Sequence, residues 1–151
     1  MDQNRGQAIH PGIIGLGIAK SALKVAKDYL SAKPQLWDYQ HTRMVMSELI
    51  IQTHSLQLMI YNSADLADQY HIGAAQAVME AKVLAAHVCV KVVDRVMQLC
   101  GAQGYVRGHR IERLYRDAKA IGIMGPKTEL SNEYVASDWW TKDSDEGSYE
   151  Y

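Results

Sequence analysis

Several features that mark other classes of protein are absent from this sequence or scarce in it. Charged residues make up 22% of its 151 residues and the net charge is -1, so no basic excess indicates binding to DNA or RNA. No apolar run approaches the about 18 residues of a membrane span, and residues 1–10 lack the apolar segment of a secretory signal. Phenylalanine is missing altogether, which excludes no fold class. We therefore expect a single globular domain with no nucleic-acid partner and no membrane span.

Cysteine is scarce as well, and its two positions argue against a disulfide. Cys89 and Cys100 lie in one run with helical periodicity, about 16 Å apart along a helix axis, which is too far for a covalent bridge. We interpret both as reduced core thiols of an intracellular protein, which would lie in the cytoplasm or, in a eukaryote, in the mitochondrial matrix. The six histidines are isolated from further ligands, so no metal site is expected.

Proline occurs only at positions 11, 34 and 126, and apolar residues recur between them at three- and four-residue steps. This pattern predicts an all-α fold, an up-down bundle of three long helices over about residues 11–32, 36–68 and 72–99. Pro11 suits the first turn of a helix, and Pro34 ends one. One or two short C-terminal helices are predicted to follow, at about 110–121 and 127–136.

The second predicted helix carries two apolar stripes. One consists of Tyr39, Met46, Leu49, Ile50, Ile60, Ala64 and Ala67, and the other of Met44, Ile51, Leu58 and Leu66. Because each stripe needs a neighbour to bury it, we expect this helix to be the central one. On the shorter helix, opposite charges four positions apart predict the pairs Glu112–Arg116 and Arg113–Asp117.

Residues 1–137 are expected to form one helical domain, followed by an acidic tail over residues 138–151. The tail holds five acids against one lysine, together with Trp139 and Trp140. The acids favour a solvated tail, whereas adjacent tryptophans favour docking on a surface. Both interpretations remain open.

The stretch MQLCGAQGY, residues 97–105, follows the third predicted helix and is rich in small residues. Taken alone it predicts a helix stop, in which Gly101 and Gly104 supply left-handed conformations. A helix C-terminus presents the negative end of its dipole, so the turn is a poor anion site unless its amides point inward. A nucleotide contact there would need a partner.

A longer segment, MQLCGAQGYVRGHRIERLYRDAKAIGIMGPKTEL, resembles the signature that closes the acyl-CoA dehydrogenases. That signature reads roughly A-V-Q-x-x-G-G-x-G-Y, then V-E-R-x-Y-R-D-A-R, then Y-E-G-T-x-E-I. Upstream, GIAKSALKVAKDY, YQHTRMVMSEL and the pair Ala81–Lys82 resemble further motifs of the same family. The resemblance covers about residues 12–136.

The resemblance implies the fold of the C-terminal helical domain of those flavin enzymes, which desaturate acyl-CoA thioesters. Their N-terminal helical domain and middle β domain have no counterpart in the matched segment. Gln98, Gly101, Ala102 and Gly104 match positions that lie against the adenosine diphosphate part of a neighbouring subunit's FAD. FAD binding is therefore implied only across a subunit interface, with a partner subunit.

The catalytic glutamate of the family is not found at its matched position. In Y-E-G-T the glutamate removes the α proton, but the aligned stretch here is MGPKTEL and the base position falls on Gly125. In the family's other arrangement the base would fall near Gln7, where Asp2 is the only carboxylate close by. The family's flavin-contacting threonine aligns with Lys127. In the connection that corresponds to the family's R-x-x-F-G turn, the only cationic residue here is Lys33. We therefore assign no catalytic residue.

Three hypotheses follow from these matches. The first is a non-catalytic assembly or structural subunit, forming a homo-oligomer or a hetero-oligomer with a larger protein. The second is the small subunit of a split FAD-dependent dehydrogenase, completing a shared flavin site. The third is a truncated remnant that merely folds. The arginines at 107, 110, 113 and 116 are either a salt-bridged surface or a diphosphate contact across an interface.

Overall fold

The computed structural model describes residues 9–144. Within that range the chain forms helices joined by short turns, with one 3₁₀ turn at Pro34–Leu36. The α-helices are α1 (Ile9–Ala32), α2 (Gln40–Asp68), α3 (Ala74–Cys100), α4 (Ala102–Tyr105), α5 (Arg110–Ile123) and α6 (Thr128–Ser144). The predicted all-α bundle of three long helices is confirmed. None of the described helices combines the length and apolar composition needed to cross a membrane.

The central helix of the bundle is α3, which packs against α1, α2, α5 and α6. Its apolar residues recur at three- and four-residue steps, which predicts one buried stripe, and this stripe is buried: Val78, Ala81, Ala85, Val88, Val92 and Val96. Because valine is an indifferent helix former, this packing is what holds the segment helical. The prediction that α2 is central was wrong: its second stripe faces outward, and Met44, Ile51 and Leu58 are 63%, 60% and 68% exposed.

Small residues bring α1 close to α3. A Cβ added at Gly15 would lie 3.1 Å from the Cβ of Ala85, so the two backbones approach where a side chain would not fit. Ala19 and Ala22 are fully buried in the same interface. The apolar periodicity of the first helix predicts a buried stripe that includes Ile14, but Ile14 is 45% exposed, because the glycine-containing face is the one that packs.

The last helix continues beyond its predicted end near Ala136. Helix α6 runs to Ser144, so the predicted boundary between residues 137 and 138 falls inside it. Acidic residues do not stop a helix, and the next strong helix breaker in the sequence is Gly147. The Trp139 and Trp140 rings lie side by side, 6.4 Å between centroids, on the exposed part of this helix. Residues 145–151 of the predicted tail lie outside the described range.

Candidate functional site

The matched base position lies in the turn between α5 and α6, residues 124–127. Its two ends are fixed by backbone hydrogen bonds, from Met124 N to Ala120 O at 2.9 Å and from Ser131 N to Lys127 O at 3.0 Å. The Thr128 hydroxyl donates to Gly122 O at 3.2 Å and so closes the turn on itself. The turn is therefore held in a defined shape.

A buried lysine attaches this turn to the central helix. Lys82 on α3 is fully buried, and its Nζ donates to Thr128 Oγ1 at 3.0 Å. Burial lowers the pKa of Lys82, while the nearby Glu129 carboxylate opposes that shift. Lys82 belongs to the Ala–Lys pair matched in the sequence, and its role here is to anchor the turn. We call Lys82, Thr128 and the Gly122 carbonyl the α3–α6 clip.

Gly125 occupies the base position, and the space around it is open. A Cβ built there would meet no atom within 4 Å, and its backbone is not in the left-handed region. Packing therefore does not require glycine at this position. Because glycine carries no proton acceptor, the turn presents none at residue 125. Asp2 and Gln7, the alternative base region, lie outside the described residues.

Gln98 lies near the C-terminal end of α3, on the wall of a cleft of about 270 Å³. Its Nε2 donates to Asp94 Oδ2 at 2.7 Å, and its Oε1 accepts from Arg95 Nη1 at 3.1 Å. His41 and Thr42, from the first turn of α2, line the opposite wall. The sequence matches identified Gln98 but not its neighbour Arg95. They did not identify His41 or Thr42 either, because no motif joins positions more than fifty residues apart along the chain.

The glycine turn that follows α3 uses its two glycines differently. Gly101 has φ 63° and ψ -152°, a conformation reserved for glycine, and it is open to solvent. Gly104 lies in α4 with negative φ, so its predicted left-handed conformation was wrong. A Cβ at Gly104 would lie 2.9 Å from Cys100 Cβ, which shows that this glycine is required by packing.

The amides of this turn bond within it. Gly101 N donates to Gln98 O at 3.1 Å, and Gly104 N donates to Gly101 O at 2.9 Å. These two donors are therefore not presented to an anion. Ala102 is exposed beside them. On its own the turn ends a helix, as the sequence indicated.

The basic strip of α5 is exposed, and the ion pairs predicted on it are not formed. Arg116 lies 3.4 Å from its neighbour Asp117, and neither Glu112–Arg116 nor Arg113–Asp117 is within salt-bridge distance in the described structure. On an exposed helix such pairs stabilise by only about 0.3–0.5 kcal/mol, which is too little to fix long side chains in one geometry.

The other ionisable groups do not assemble into a reactive cluster. Lys91 Nζ lies 2.6 Å from Glu48 Oε1 across α2 and α3, and this hydrogen bond lowers the pKa of Glu48. Burial raises the pKa of Cys89 to about 11, which keeps the thiol protonated and unreactive. In the range 9–144, no three His, Cys, Asp or Glu side chains converge as metal ligands would.

Comparison with known proteins places these features in a family. The sequence matches the family model described as "Acyl-CoA dehydrogenase, C-terminal domain" over residues 6–138. It is 30% identical over 128 residues to isobutyryl-CoA dehydrogenase, mitochondrial, of Dictyostelium discoideum, and 28% identical over 140 residues to 3-sulfinopropanoyl-CoA desulfinase of Paraburkholderia xenovorans. These alignments cover 82% and 90% of this chain but 31% and 36% of those proteins. The chain thus spans about a third of the length of the curated relatives it matches.

Solved structures give the same result for the fold. Butyryl-CoA dehydrogenase from Megasphaera elsdenii superimposes with a TM-score of 0.85 at 23% identity, over 90% of this chain and 36% of that one. A glutaryl-coenzyme A dehydrogenase complex superimposes with a TM-score of 0.82 at 22% identity, over 91% of this chain and 36% of that one. At these identities the likeness shows a shared helical domain.

Proposed function

The chain belongs to the acyl-CoA dehydrogenase family through its C-terminal helical domain, and from this premise we propose that it acts as a non-catalytic assembly subunit. The supporting observation is Gly125 at the matched base position. Desaturation of a thioester requires a group that accepts the α proton, and a carboxylate does this in the family. Glycine cannot do so, although the open space around it would accommodate a larger residue.

Exposed apolar side chains around the same turn support association with another polypeptide. The N-terminal half of α1 and the C-terminal end of α5 meet there, since a Cβ at Gly15 would lie 3.5 Å from Ile121 Cγ2. Exposed large apolar residues on these elements, in the turn and in the first turn of α6 include Ile13, Ile14, Ile123, Met124 and Leu130. Clustered exposed apolar residues are typical of interaction surfaces.

Purification of the chain on its own tests this proposal. We expect a colourless protein that elutes as an oligomer and does not desaturate a short-chain acyl-CoA in the presence of added FAD and an artificial electron acceptor. Visible flavin absorbance and product analysis by mass spectrometry are the readouts. Catalysis by the homogeneous chain would overturn the proposal.

A second candidate function is the small subunit of a split FAD-dependent dehydrogenase. It is favoured by Gln98, which matches the family's motif in sequence and lines an exposed cleft. The fit of this one cleft to FAD is poor, because its volume of about 270 Å³ falls below the about 300–1,000 Å³ of sites that bury a ligand. Both polar ends of Gln98 are also already bonded, to Asp94 and Arg95. These contacts at Gln98 favour a flavin site that is shared with a partner subunit.

Substitution of Gln98 separates the two functions. In a complex that contains flavin, Gln98→Ala should reduce the FAD retained after gel filtration while leaving the helical circular dichroism unchanged. Gln69→Ala is the matched control, because Gln69 also bonds the aspartate four residues before it, at the C-terminus of α2. Equal flavin content in the two variants would count against a shared site at Gln98.

A further inference from the structure

A second cleft, of about 690 Å³, lies between the C-terminal half of α1 and the N-terminal half of α2. Its lining is mostly apolar. The lining includes the buried side chains of Leu30 and Met46, together with the more exposed Leu23, Trp37 and Ile50. Sites that bury small ligands have volumes of about 300–1,000 Å³ and combine an apolar lining with a few polar groups that orient the ligand. We call this feature the α1–α2 cleft.

Hydrogen bonds hold the Trp37 side of the cleft in place. Trp37 N donates to Pro34 O at 2.9 Å. Arg43 Nη1 donates to Trp37 O at 2.7 Å and to Asp38 O at 2.8 Å. The indole is nevertheless 46% exposed. Because the backbone is bonded on both sides of the ring, the cleft is formed before a ligand enters, and binding requires less ordering of the chain.

Lys27 is the basic residue among those that line the cleft. Within residues 9–144 its ammonium group forms no hydrogen bond or ion pair. The neighbouring lysines are engaged, since Lys24 lies 3.4 Å from Asp28 Oδ2 and Lys33 donates to the Tyr29 hydroxyl at 2.9 Å. Lys27 is therefore the cation that is available to a ligand in the cleft.

The charges around the cleft favour a ligand with one negative group. Residues 20–43 hold five basic residues and two acids, whereas the whole chain has a net charge of -1. A local excess of positive charge raises the concentration of anions at that surface. Asp38, the acid that lines the cleft, opposes a second negative group on the same ligand. The cleft is therefore suited to an apolar molecule with a single anionic head.

We propose that the α1–α2 cleft binds a dissolved medium-chain fatty carboxylate, with its head at Lys27 and its chain against the apolar lining. Along α1 the lining runs from Leu23 to Ser31, about 12 Å at 1.5 Å per residue. This span limits the chain that the cleft can cover, and it favours a medium-chain acid over a long-chain one. The inference goes beyond the assembly role proposed above and does not depend on it.

Titration with decanoate below its micellar concentration tests the proposal. Isothermal titration calorimetry should show one site per chain. Lys27→Gln should raise the dissociation constant at least fivefold, because the cation that contacts the head is lost. Lys20→Gln is the matched control, since Lys20 is exposed on the same helix but does not line the cleft, and it should leave the dissociation constant unchanged. Equal dissociation constants for the two variants, or no binding to the wild type, overturn the proposal.

Tryptophan fluorescence tests where the chain of the ligand lies. Decanoate should shift the emission of Trp37 to shorter wavelength, because the ligand excludes water from the indole. The shift should be lost in Trp37→Tyr and kept in Trp140→Tyr, since Trp140 does not line the cleft. Circular dichroism should be the same with and without decanoate. A shift that persists in Trp37→Tyr, or a loss of helix on addition of decanoate, overturns the proposal.

Three further probes test the head group and its source. Decanol should bind the wild type and Lys27→Gln equally, whereas decanedioate should bind the wild type at least fivefold more weakly than decanoate does. An equal effect of Lys27→Gln on decanol and decanoate overturns the placement of the head. Sedimentation with phosphatidylglycerol vesicles, without binding of dissolved decanoate, would identify a membrane surface instead and overturn the proposal. None of these results bears on Gly125, so the assembly role stands or fails separately, in the activity assay.

Discussion

The α3–α6 clip gives the sharpest prediction about stability. Thr128→Val removes the hydroxyl that accepts from the fully buried Lys82 and leaves an ammonium group without that partner. A hydrogen bond to a charged group contributes about 1.5–3 kcal/mol, so we expect the free energy of unfolding to fall by about that amount. Thr128→Ser, which keeps the hydroxyl, should remain close to the wild type.

Removal of the Lys82 charge should lower the free energy of unfolding less than removal of the Thr128 hydroxyl. Lys82→Met keeps an unbranched chain of similar volume and leaves the Thr128 hydroxyl bonded to Gly122 O, so we expect a loss below about 1.5 kcal/mol. The double variant Lys82→Met with Thr128→Val should therefore be more stable than Thr128→Val alone. Urea denaturation followed by circular dichroism measures all four proteins.

The pH dependence of stability provides an independent readout of the same lysine. Burial lowers the pKa of Lys82 below the about 10.4 of an unfolded chain, so between the two values the unfolded state binds more protons. The free energy of unfolding of the wild type should therefore rise, relative to Lys82→Met, as the pH increases from neutral towards about 10. A constant difference across that range, or a Thr128→Val variant as stable as Thr128→Ser, would mean that Lys82 does not depend on burial and on the Thr128 hydroxyl in this way.

Two glycines give further predictions. Gly104→Ala forces a methyl group to within 2.9 Å of Cys100 Cβ and should lower the free energy of unfolding by about 1–3 kcal/mol. Gly17→Ala is the control, because nothing lies within 4 Å of a Cβ there, and it should not destabilise the helix. Thermal melts compare the two variants, and equal melting temperatures would contradict the packing argument. Gly125→Glu, also in open space, should alter the free energy of unfolding by less than about 0.5 kcal/mol in urea titration, and a large loss would mean that the turn does require glycine.

Local signals in the sequence were sufficient to predict most of the bundle. The apolar residues from Val78 to Val96 recur at three- and four-residue steps without a break. This spacing places them on one face of an α-helix and so predicts the helix directly. Pro34 marks the end of α1 because a residue before proline leaves the helical region, and the observed helix ends at Ala32.

Features that depend on neighbouring elements could not be predicted in this way. The stripes of α2 look alike in sequence, and only the packing of α3 shows that Leu49 is buried and Ile51 exposed. Periodicity identifies an apolar face but not whether its neighbour lies in the same chain. The extent of α6 was missed for another reason: a change in composition at Asp138 was interpreted as the end of a helix, although no helix breaker stands there.

In the candidate site, too, residues within one motif could be predicted from the sequence, whereas contacts between distant elements could not. The motif match placed Gly125 and Gln98, since both positions lie within one continuous signature. The Lys82–Thr128 contact joins positions 46 residues apart and was not predicted, because hydrogen bonding between distant helices leaves no local pattern. The distinct roles of Gly101 and Gly104 required the backbone angles and the distance to Cys100.

The central claim, that this chain provides a helical scaffold but no proton acceptor at residue 125, is tested most directly by an activity assay of the isolated chain. Homogeneous protein is incubated with FAD, an acyl-CoA and an artificial electron acceptor, and both enoyl-CoA formation and bound flavin are measured. We expect no enoyl product and no flavin retained after gel filtration. Turnover by this chain alone, with flavin bound, would contradict it.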